Sequence, residues 1–149
     1  MDLTPPVARS PNKRKCPPLV WGAVDQLACL IDEAAAAGLT VQYARLPGGR
    51  LGAYHHATRT IWLSHQLSDT HAVAVLLHEM EHARRGDDGH QSPQVEARIN
   101  QAVTGQLIDP GAYLHALRVT GGDSYALAEE LGVPVWVVDA YQPALTVRA

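Results

Sequence analysis

The chain has 149 residues, of which 46% are hydrophobic, and a formal net charge of −3. This length predicts one domain able to bury a core without metal or disulfide staples, and no apolar run approaches the ~20 residues of a membrane span. The charge is uneven: Arg9, Lys13, Arg14 and Lys15 against Asp2 put residues 1–18 at +3 and leave the remainder at −6, an acidic body that argues against direct nucleic-acid binding.

Residues 1–18 carry Pro5, Pro6, Pro11, Pro17 and Pro18 around the basic cluster and lack the apolar stretch of a signal peptide. They read as a flexible basic tail, with residues 19–149 as the single domain and the cytoplasm as the expected compartment. Cys16 falls in the tail and Cys29 in a predicted helix, which suggests neither a disulfide framework nor a Cys-rich zinc site.

Along the domain, Val24, Leu27, Ala28, Ile31, Ala34 and Ala35 recur at helical spacing, predicting a helix over residues 21–37 that Gly38 ends. Three strand-like runs follow at Thr40–Leu46, Leu51–His55 and Thr60–Ser64, separated by Pro47-Gly48-Gly49 and a short polar turn. They read as an antiparallel meander. Ser68 or Asp69 can cap a second helix running to about Arg85, broken by Gly86-Asp87-Asp88-Gly89. Ser92-Pro93 supplies an N-cap and a first-turn proline for a third helix to Leu107. Shorter helices are expected over Pro110–Val119, Asp123–Leu131 and Pro134–Tyr141. The fold class expected is thus α+β.

On the second helix stands His78-Glu79-Met80-Glu81-His82, the HExxH pattern of zinc peptidases. Histidines four apart share one helix face and can grip one metal ion. Glu79 projects beside that face, within reach of the water that such a metal activates, as a general base. A catalytic zinc takes three protein ligands, so one is missing. The metzincin pattern has Gly three and His six residues beyond the second histidine, whereas here Gly86 falls at four and His90 at eight, so His90 reads as a loop histidine. The better third ligand is Glu96. It shares a stripe with Asn100, Val103 and Leu107 on the returning helix, where a carboxylate is costly unless paired. Asn100, one turn further, can accept a hydrogen bond from the distal N–H of His78 or His82. His90, Tyr113 and His115 are candidates to stabilise an oxyanion.

These residues resemble the ImmA/IrrE family of small metallopeptidases of phages, mobile elements and bacteria. The resemblance runs from about Val41 to Tyr141, through Gly52-Ala53-Tyr54, Thr60-Ile61-Trp62-Leu63, Leu76-Leu77 with the HExxH set, Val95-Glu96-Ala97-Arg98-Ile99-Asn100, Leu107-Ile108-Asp109-Pro110 and Leu127-Ala128-Glu129-Glu130-Leu131-Gly132-Val133. It implies a minimal, gluzincin-like zincin fold, Zn2+ held by His78, His82 and Glu96, and Glu79 as base. It further implies a protein substrate, a helix-turn-helix repressor being the family's typical one. Glu81, Asp87 and Ile99 stand where the family often has Gly, His and Ala.

Two other classes compete with this one. Tyr125–Tyr141 has a helix-turn-helix cadence, but its second helix contains Asp139 and no Lys or Arg, which suits a core or protein-binding face better than DNA. The alternative function is a catalytically weak peptidase fold that only binds a regulatory protein; solvent-facing Val135, Trp136 and Val138 would favour it.

Overall fold

A computed structural model describes Cys16 and residues 22–148, residues 142–148 by backbone alone. The expected flexible tail, Cys16 apart, lies outside the described residues.

Helix α1 (Ala23–Ala36) buries Leu27, Leu30 and Ala34 and ends where Gly38 takes a positive φ of 80°. Strands β1 (Thr40–Ala44), β2 (Gly52–His55) and β3 (Thr60–Ser64) follow. The predicted meander is corrected by their pairing. The order is β1-β3-β2, with β1 parallel to β3 and only β2 antiparallel to it. Burial explains the order: in β3 every residue but Trp62 is buried, with Ile61 and Leu63 fully so, whereas β1 and β2 are mostly half-buried or exposed. The strand that can be covered on both faces takes the centre. β2 is left as an edge.

Helix α2 (Asp69–Arg85) is capped by the Ser68 hydroxyl, which accepts the His71 N–H at 3.3 Å. Its stretch Ala72–Leu77 is buried without interruption and joins α1 and the sheet in one core. Each fully buried Leu or Val there contributes about 1.5–3 kcal/mol. Helix α3 (Pro93–Leu107) begins at the predicted Ser92 cap and Pro93, and lays Ile99, Val103 and Leu107 into the same core.

Beyond it come α4 (Pro110–Thr120), α5 (Ser124–Leu131) and α6 (Val135–Arg148), the last running well past the expected end at Tyr141. Its Val137, Val138 and Tyr141 are buried, and Val135 and Trp136 pack partly buried against the core. The face that a binding-only protein would have exposed is therefore largely turned inward. No helix among the described residues is long and apolar enough to cross a membrane.

The cysteines are a second correction. Cys16 and Cys29 form a disulfide, their Cα atoms 5.8 Å apart, so the chain just ahead of α1 is tied to that helix. The two stand 13 positions apart in sequence, with no spacing rule to pair them.

Candidate metal centre

The second half of α2 carries His78, Glu79 and His82, and α3 returns beside it with Glu96 in its first turn. His78 Nε2 and His82 Nε2 lie 3.2 Å apart; Glu96 reaches the first with Oε2 at 3.1 Å and the second with Oε1 at 3.3 Å. Two donors bound to one zinc at 2.0–2.1 Å and the tetrahedral angle stand about 3.3 Å apart. The three edges of the cluster fit that spacing, and the group could hold a metal ion.

The far sides of the imidazoles decide what the near sides offer. His78 Nδ1 faces the Asn100 side-chain oxygen at 2.9 Å, and His82 Nδ1 faces the Asp87 carboxylate at 2.9 Å. Both partners are acceptors, so both Nδ1 atoms donate, and each neutral ring is left with a lone pair on Nε2. Two lone pairs and a carboxylate thus converge with no donor among them. Such a cluster requires a cation at its centre, or protons taken up in its place. Burial, then the neighbouring His82, hold His78 below the ordinary imidazole range against the opposing pull of Glu96 and Asn100, which disfavours the protonated alternative there.

Asp87 is the functional residue that sequence reasoning missed. Gly86 caps α2 in the left-handed conformation (φ 72°), with its N–H on Ala83 O and that of Asp87 on His82 O. The turn folds the chain back so that the Asp87 carboxylate meets His82 Nδ1, while Arg85 Nε donates to the same oxygen at 2.9 Å. Burial pushes Asp87 upward, but the hydrogen bonds from His82 and Arg85 outweigh it and hold it below the usual carboxylate range. A Gly-Asp pair just past the second histidine was the available signal. Glu81 is tied to Arg84 at 2.9 Å, which offsets its charge.

Glu79 is 7% exposed, and its pKa is pushed up to about 7 by burial first, then by the nearby Glu96 carboxylate, against the lowering influence of His82 and Arg50. Gly52 explains how β2 comes so close. A Cβ on it would stand 2.5 Å from Val75 Cγ1 and 3.2 Å from a Glu79 oxygen, so only glycine lets the strand lie against this turn of α2.

These groups open on a cleft of about 810 Å³, bordered on one side by Arg50 to Tyr54, on another by Gly89 and His90, and by Asn100 and Trp136. The Trp136 ring stands edge-on to His78 with centroids 6.5 Å apart. Of the three residues expected as oxyanion donors, only His90 borders the cleft. Tyr113 is buried against Tyr141, and His115 is exposed elsewhere. Comparison with models of known families and with curated proteins gives no match to this chain.

Proposed function

We propose that the protein is a zinc-dependent endopeptidase, similar to the ImmA/IrrE proteins, acting on a regulatory protein such as a helix-turn-helix repressor. The observation that carries the reading is the convergence of ligand atoms from His78, His82 and Glu96 beside a buried carboxylate, on an open cleft. Two nitrogens and a carboxylate, with no cysteine among them, suit a catalytic zinc that keeps a fourth position free. The motif spacing supports the same reading from the sequence.

When bound, zinc would lower the pKa of a water toward ~7 and polarise the scissile carbonyl. Glu79 takes the attacking water's proton and returns it to the leaving amine, a role for which a pKa near the working pH is well matched. Asn100 and Asp87 hold the two imidazoles in the tautomer that presents Nε2. The edge strand β2 offers unpaired backbone groups along the cleft, on which an extended peptide can lie as an added strand.

The test is metal content after dialysis without chelator, in the wild type and in Glu96→Ala. About one zinc per wild-type chain, lost in the variant, supports the site and directs a search for the cleaved protein. A well-folded wild type that retains no metal sinks the reading.

A further inference from the structure

Among the described residues, Arg50 is the one Arg or Lys that borders the cleft, in an otherwise acidic body. Three other guanidinium groups are committed: Arg84 to Glu81, Arg85 to Asp87 and Arg59 to the Ala37 carbonyl. Among the described residues no carboxylate forms an ion pair with Arg50, whose charge acts at longer range on the buried Glu79. It makes one long contact: the terminal Nη2 stands 3.3 Å from His90 Nε2, with both side chains exposed. The two come from segments 40 residues apart, Arg50 from just ahead of β2 and His90 from the loop between α2 and α3.

The place matters as much as the charge. Arg50 is extended (φ −63°, ψ 138°), and Gly52, two residues on, lies against the Glu79 carboxylate. At about 3.3 Å per extended residue, the Arg50 backbone is roughly 7 Å along the chain from Gly52, the residue that lies against Glu79. A peptide laid along β2 therefore passes Arg50 within a residue or two of the bond held at the metal group. A neutral imidazole is a poor match for a guanidinium, whereas a carboxylate takes it with short, paired, charge-assisted bonds. Elsewhere in the cleft Asp87 is partnered by Arg85 and His82 and Glu96 by the two histidines, and the remaining acid, Glu79, is buried. They offer little to a basic substrate residue.

We propose that Arg50, with His90 beside it, is the subsite that receives a carboxylate of the peptide substrate close to the cleaved bond. This rests on the endopeptidase reading. The carboxylate has two possible sources with the same chemistry, an Asp or Glu side chain or the peptide's own C-terminus, and the second would make the zinc peptidase a carboxypeptidase rather than an endopeptidase.

The test incubates zinc-loaded protein with two randomised peptide mixtures, one blocked at both ends and one with free C-termini, and reads the cut positions by mass spectrometry. A side-chain source gives Asp or Glu enriched at one fixed position in both mixtures; a terminal source gives cuts at a fixed distance from the free C-terminus in the second alone. Peptides then made with and without that carboxylate (Glu against Gln, or acid against amide) should differ about tenfold in kcat/KM. The ratio should fall to near one in Arg50→Ala and favour a basic residue in Arg50→Glu, while Arg50→Lys retains part of it. Because a ratio is read, a general loss of turnover cancels. Cleavage without either preference, or with a preference that survives in Arg50→Ala, overturns the subsite alone. No cleavage in either mixture overturns the endopeptidase reading and the subsite with it.

Discussion

From Ala72 to Leu77, α2 buries six consecutive apolar residues, whereas from His78 onward the same helix presents two imidazoles and a carboxylate. The first half is held by packing on α1 and the sheet, and costs nothing in unpaired polar groups. The second half carries buried or half-buried polar groups, and its two imidazoles are placed against partners brought from beyond the helix: Asn100, Asp87 and Glu96. The contrast shows how the molecule carries an expensive site. An apolar half fixes the helix axis, and the polar half needs only short hydrogen bonds to set two ring orientations.

Exchanging Glu79 for Gln should cut kcat/KM by about 100- to 10,000-fold while leaving zinc content near that of the wild type, since only the polar half loses a function. Steady-state rates beside elemental analysis check this; retained activity would remove Glu79 from the mechanism. Leu76→Ala, in the apolar half, should destabilise the fold by about 2–5 kcal/mol in urea unfolding. Zinc affinity per folded molecule should be nearly unchanged, and a parallel collapse of affinity would show that the halves are not separable.

A subtler contrast is in pH. Glu79 binds its proton more tightly folded than unfolded, so metal-free protein should lose stability as pH rises from about 4.5 through about 7. The loss should be about 3 kcal/mol at its limit, and Glu79→Gln should abolish this component. Unfolding curves of both proteins at pH 5 and pH 8 decide it. The smallest effect is expected at Asp87. Asp87→Ala should weaken zinc about 10- to 100-fold in chelator competition, with Asp87→Asn recovering part, because an amide oxygen still accepts from His82.

Much of this was readable in the chain. Helical periodicity placed α2 and α3, the Ser92-Pro93 start was right, and the stripe through Glu96, Asn100, Val103 and Leu107 set carboxylate and amide on the face that meets the histidines. Strand order was not readable from turn lengths, since the Pro47-Gly48-Gly49 turn suggests neighbours where the chain inserts β3 between β1 and β2. The unbroken apolar run Ile61-Trp62-Leu63 was the better clue to a central strand. Asp87, Arg50 and the Cys16–Cys29 pair depend on where loops land, which no periodicity encodes.

The Cys16–Cys29 bond bears on where the molecule has been and how it must be handled. Disulfides persist where glutathione and thioredoxin do not reduce them, so this cross-link sits uneasily with the cytoplasm that the tail's composition suggested. At the bench, a thiol reductant such as dithiothreitol would act twice, opening the cross-link beside α1 and competing for the zinc ion proposed at the histidines. A preparation made in it would lose both at once, and the two losses would pass for one.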